Sequence, residues 1–157
     1  MSRPPGDSVV IASERPDRPD VRALIEALDA LQLGLYPAES SHLVEIDSLL
    51  DPAVIFLVAR RDGVALGCAA MLTCDGYGEI KRMFVSPDAR GLGLGRKLVT
   101  ALEDTARDNK LPVLRLETGI HQPEAIGLYE KAGYVRRGPY GDYPDDPLSV
   151  FMEKGLV

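Results

Sequence analysis

The stretch Arg90-Gly91-Leu92-Gly93-Leu94-Gly95-Arg96 follows an apolar run, Glu79 to Val85, that stops at Ser86-Pro87-Asp88. Behind it Leu94, Leu98, Ala101, Leu102 and Ala106 recur at helical spacing, so it joins a strand to a helix predicted over 91–109. The first N–H groups of a helix lack internal partners and carry partial positive charge, which suits phosphate. Gly93 and Gly95 have no side chains, so a pyrophosphate can approach the backbone, and Arg90 and Arg96 can add charge-assisted contacts. Three readings compete. A dinucleotide fingerprint requires a third glycine where Arg96 stands, and a nucleoside-triphosphate loop requires Gly-Lys-Ser/Thr, which is absent. A glycine-rich turn with packing value only stays open.

Working outward, Pro112 to Leu116 reads as the next strand, so strand 79–85, helix 91–109 and strand 112–117 form one βαβ unit with a right-handed crossover between parallel strands. Upstream, Val54–Ala59 and Val64–Thr73 form a hairpin about Asp62-Gly63, whose residues tolerate positive φ. That pairing is antiparallel, so the sheet is mixed. Before it lie a short strand over 8–12, an amphipathic helix from Val21 to about Gly34 stopped by Tyr36-Pro37, and an ambiguous segment 38–52 that suits a second short helix. Downstream, Pro123 opens a helix that Gly133 ends. Strands over 134–137 and 148–154 flank a loop rich in Gly, Pro and Asp.

The 157 residues suit one domain, 1–157, without internal repeat or linker. With 45% hydrophobic and 27% charged residues the composition is that of a folded globular chain. Eighteen basic against twenty-four acidic residues give a net charge of −6, which disfavours nucleic acid and anionic lipid as partners. Cys68 and Cys74, six apart on one predicted strand, are too distant to bridge, and with two histidines they offer no metal-ligand spacing. No signal peptide or membrane span is read, so the expected location is the cytoplasm.

Arg90-x-x-Gly93-x-Gly95 after Met83-Phe84-Val85 resembles the acyl-CoA signature of the GNAT superfamily of N-acetyltransferases. Gln122-x-x-Ala125-x-x-Leu128-Tyr129-x-x-x-Gly133-Tyr134 resembles the second signature of that family, with Gln122 in place of the usual Asn and Tyr134 in place of Phe. The element order agrees over nearly the whole chain. The resemblance implies an α/β (α+β) GNAT fold: a mixed, mostly antiparallel sheet with a central βαβ unit and helices on both faces. It implies acetyl-CoA as co-substrate, no metal, and a small-molecule amine acceptor, and it leaves room for a homodimer. Acetylation of protein lysines or N-termini, and a non-catalytic acyl-CoA-binding module, are the alternatives.

The resemblance also assigns roles. Met83, Phe84 and Val85 are to bind the pantetheine arm as an added strand would, with Gly91, Leu92 and Leu94 completing the phosphate turn and Gln122 bordering the cofactor. An ammonium has no lone pair, and at an ordinary pKa near 10.4 roughly one amine in a few thousand is neutral at pH 7, so a base helps. Glu79, eleven residues before Arg90, matches the catalytic-base glutamate of the family's histone-acetyltransferase branch, while a cross-strand pair with Lys81 is the structural alternative. His121 is the substitute base. Tyr129 matches the tyrosine that protonates the departing thiolate; otherwise it is a core aromatic. Asp142, Asp145 and Asp146, with Tyr140 and Tyr143, suggest a cationic acceptor. Lys81-Arg82 suggests instead a grip on an acceptor carboxylate.

Overall fold

The computed structural model describes residues 9–35, 46–89 and 91–156. Its elements are β1 (Val9–Ser13), α1 (Pro19–Leu35), β2 (Val54–Arg61), β3 (Val64–Thr73), β4 (Gly78–Val85), α2 (Leu94–Asp108), β5 (Val113–Gly119), α3 (Pro123–Lys131), β6 (Val135–Arg137) and β7 (Ser149–Gly155). The Tyr36-Pro37 stop and most of segment 38–52 lie outside the described residues; its described part, Ile46–Leu50, is a 3-10 turn where a helix was expected. Asp62 and Gly63 both take positive φ, 52° and 82°, as a tight hairpin turn requires.

The seven strands form one sheet in the order β1-β2-β3-β4-β5-β7-β6. Only β4 and β5 pair in parallel, with α2 as their crossover. Strand alternation sends Leu57, Met71, Ile80, Leu114, Leu116 and Met152 to one face, where Leu98 and Leu102 of α2 and Ile126 and Tyr129 of α3 cover them. Phe56, Val58, Cys68, Ala70 and Phe84 face the other way, against Val21, Leu24, Ile25 and Leu28 of α1. Cys68 is buried in β3, Cys74 lies just past its end, and both are free thiols.

Two irregularities make room for a site. The β3–β4 register slips between Cys68↔Phe84 and Ala70↔Lys81, and Arg82 takes a left-handed φ of 56° at that bulge. Alternation resets there, so Lys81 and Arg82 are both on the α1 side: Lys81 opposite Ala70, and Arg82 in an ion pair with Asp29 of α1. Beyond Ile80 and Leu116, β4 runs on to Val85 and β5 to Gly119 with no pairing between them. β5 extends past its expected end, on to Gly119, because Glu117, Thr118 and Gly119 pair with Phe151, Val150 and Ser149 of β7.

Candidate active site

Two cavities open where β4 and β5 part. The larger, about 610 Å³, is walled by Met83, Phe84 and Val85 of β4, Gly91 and Gly93 of the turn, Leu94, Gly95 and Arg96 of α2, and residues 121–125 at the start of α3. The smaller, about 80 Å³, is walled by Lys81 and Arg82 of β4, Glu117 and Thr118 of β5, Gln32 of α1, Tyr129 of α3 and Tyr143. Leu28, Met83, Gln122 and Ala125 border both, so the cavities meet at those side chains.

The larger cavity fits an extended, phosphorylated cofactor such as acetyl-CoA. The β4 edge beyond Ile80 has no strand beside it and can bond an extended chain. At the turn, α2 begins at Gly93 without a side-chain cap and without an acid in its own first turn, which leaves its first N–H groups to an anion. Arg96 borders the same space. Among the residues expected to bind cofactor, Leu92 does not line this cavity and Arg90 lies outside the described residues. The glycines differ in physical reason. Gly91 and Gly93 take φ of 90° and 72°, which side chains disfavour, and a Cβ at either would meet nothing within 4 Å. Gly95 is helical, and its Cβ would come within 3.0 Å of Leu128 Cδ2, so it lets α2 and α3 approach.

Tyr129 is buried in the smaller cavity's wall, its ring edge-on to Tyr134 at 5.6 Å between centroids. Burial raises its phenol pKa, so it stays protonated. Tyr134 is no passive replacement for Phe, because its hydroxyl donates to the buried Glu103 carboxylate at 3.0 Å, which Lys154 also contacts at 3.0 Å.

Glu79 is buried but lines neither cavity. Its Oε2 accepts hydrogen bonds from Tyr140 at 2.9 Å and Tyr143 at 2.5 Å, and lies 3.4 Å from Lys81 Nζ. Both tyrosines stack on Phe151, so the loop before β7 folds its aromatic side chains inward. Asp142 and Asp145 are exposed, and Asp146 Oδ1 accepts from the Leu148 amide, so none of the three lines the smaller cavity. His121 is exposed at the rim of the larger cavity.

Glu117 does line the smaller cavity; in the sequence it stands at the very end of the strand expected over 112–117 and is not singled out, because nothing local shows what it faces. Burial pushes its carboxyl up from 4.5 to about 7, against the hydrogen bond donated by Ser149 Oγ at 2.8 Å. Glu117-Thr118-Gly119 continues Leu114-x-Leu116 without a turn residue before Gly119, which is the signal that could have carried the strand on to Gly119.

The profile of the Acetyltransferase (GNAT) family matches residues 21–134. An IAA acetyltransferase of Azospirillum brasilense is 52% identical over 151 residues, covering 95% of this chain and 99% of that protein. A solved structure from Klebsiella pneumoniae, named for acyl-CoA N-acyltransferase activity, is 43% identical with a TM-score of 0.81, covering 95% of this chain and 98% of that one. Spermidine N-acetyltransferase from Vibrio cholerae, solved with CoA and spermine, shares the fold at 17% identity and a TM-score of 0.70, covering 96% of each chain. Among the described residues no helix is long and apolar enough to cross a membrane, and no group of three or more His, Cys, Asp or Glu could hold a metal ion.

Proposed function

On the premise that the chain belongs to the GNAT family of acetyltransferases, we propose that residues 1–157 act as one domain that moves an acetyl group from acetyl-CoA to the primary amine of a small molecule, by direct attack in a ternary complex. The observation that carries this reading is the pair of cavities meeting at Met83, Gln122 and Ala125. One, about 610 Å³, is the roomier and supports an extended cofactor; the other, about 80 Å³, is small and has Tyr143 in its wall. That enclosure supports a small acceptor over a protein segment. The family's use of acetyl-CoA and the uncapped start of α2 support the larger cavity as the cofactor's.

Tyr129 serves as the acid that protonates the departing thiolate. Burial raises its pKa, which keeps the proton on the phenol until the thiolate departs. Within the amine class, Arg82 favours an acceptor that also carries a carboxylate. Arg82 lines the smaller cavity, so its guanidinium can meet an acceptor carboxylate there, and its buried Nε has no hydrogen-bond partner among the described residues. The exposed aspartates of the loop give no comparable support for a polyamine.

The test is thiol release from acetyl-CoA across simple amines, polyamines and amino acids, with wild type beside Tyr129→Phe. Turnover of amino acids above spermidine is expected. Turnover of spermidine alone overturns the carboxylate preference, and no turnover of any amine overturns the acceptor class.

A further inference from the structure

We infer that Glu117, and not Glu79, is the group that takes the proton from the acceptor ammonium; this rests on the acetyl-transfer reading of the paired cavities. The two carboxylates differ in what surrounds them. Glu79 Oε2 already accepts two tyrosyl hydroxyls and faces Lys81, and Glu79 lines neither of the two cavities. It positions Lys81 and the loop that closes the smaller cavity. Glu117 borders that cavity in company with Tyr129, and Ser149 Oγ is the donor bonded to its Oε2. The bulge in β4 and the parting of β5 make this so: Glu79 lies on the paired part of β4, opposite Arg115, whereas Glu117 lies just past the last parallel pair, where the strands have opened.

The groups facing Glu117 are Lys81, Glu79 and Arg82 on β4, Tyr143 and Asp146 on the loop, Ser149 on β7 and Tyr129 on α3. Among those charges Glu79 and Asp146 raise the Glu117 pKa and Lys81 lowers it, while burial dominates, leaving a carboxyl that is half ionised near neutral pH. A base serves best when its pKa lies near the working pH.

The step balances. A carboxylate oxygen of Glu117 takes one proton from the ammonium, and the freed lone pair forms the C–N bond to the acetyl carbon. The C–S bond breaks, and Tyr129 gives its proton to the sulfur. The second proton of the former ammonium returns to the Tyr129 oxygen, leaving an amide, a thiol and a protonated Glu117 that releases its proton to solvent.

The experiment is the pH dependence of kcat/KM for wild type, Glu117→Gln and Glu79→Gln, with acceptors of graded amine pKa. For wild type a midpoint near 7 is expected. Glu117→Gln should lose that midpoint and about 10²–10⁴ in rate at pH 7. The loss should shrink toward unity for an amine whose own pKa lies below 7, since it needs no base; a merely structural role would lower all acceptors alike. Glu79→Gln should keep the midpoint. A wild-type midpoint retained in Glu117→Gln, or a loss independent of amine pKa, overturns the inference. If no amine turns over, the acetyl-transfer reading fails and the inference falls with it; where amines do turn over, a ¹³C NMR midpoint of the Glu117 carboxyl near 7 supports the inference and one below 5 overturns it.

Discussion

Tyr129 and Tyr134 show how two aromatic residues in one packed pair carry different duties. Tyr129→Phe keeps the ring against Tyr134 and deletes only the hydroxyl. If Tyr129 is the acid proposed above, that hydroxyl is worth roughly 10²–10⁴ in turnover. Steady-state thiol release should fall by that factor, while calorimetry shows unchanged cofactor affinity; wild-type turnover would reduce Tyr129 to packing. Tyr134→Phe instead removes a donor from Glu103, a carboxylate only 6% exposed. Lys154 remains beside it, so the buried charge is half-satisfied. A loss of about 1–3 kcal/mol is expected from urea unfolding, the range for a buried group that loses a partner. Unchanged stability would mean that Lys154 alone suffices.

The turn between β4 and α2 needs its glycines for reasons that belong to the element. Gly93 has open space where a Cβ would stand but a φ of 72°, so a side chain meets strain before it meets any atom. Gly93→Val should lose about 1–2 kcal/mol of stability from left-handed strain alone. Gly93→Asn, which tolerates that conformation, should lose less. The Asn variant therefore isolates the approach to phosphate. If the cofactor comes against this turn, calorimetry should show acetyl-CoA binding weakened at least tenfold in a folded Gly93→Asn protein, about 1.4 kcal/mol. Unchanged affinity there would remove the turn from the cofactor site. Gly95 belongs to a different junction. Its Cβ would press on Leu128, so Gly95→Ala tests the fit of α2 on α3 rather than the turn.

Across the whole molecule, Glu117 links activity to stability. Its folded-state pKa lies above the ordinary 4.5, so the folded chain holds the proton more tightly than the unfolded one. Below about 4.5 both states are protonated and nothing is lost. Between 4.5 and 7 the unfolded chain ionises first and stability falls with rising pH; above 7 the full loss, about 3 kcal/mol, persists. Glu117→Gln removes this dependence. Thermal melts should coincide for the two proteins near pH 4 and separate at pH 8, with the variant melting higher. Coincident melts at pH 8 would show that the buried carboxyl carries no such burden.

Periodicity and turn chemistry made most of the architecture legible before any coordinates. The 3.6 spacing of Leu94, Leu98 and Leu102, the Asp62-Gly63 turn and Pro123 at the head of α3 are local signals, because each depends on backbone preference or on one buried face. The two signatures also singled out the glycine turn and Tyr129, which the fold brings to the walls of two adjoining cavities. Local signals could not supply the order in which strands pair, so the insertion of β7 between β5 and β6 was invisible, and with it the support that keeps Glu117 and Thr118 on a strand. Nor could they reveal the bulge at Arg82, since a left-handed arginine is disfavoured by its own chemistry and is held there by the β3 register and by Asp29. Those long-range pairings decide which of two glutamates is boxed in by tyrosines and which borders a cavity. Identical side chains acquire different chemistry there, because burial and hydrogen-bond partners come from residues sixty positions away in the case of Glu79 and about thirty in the case of Glu117.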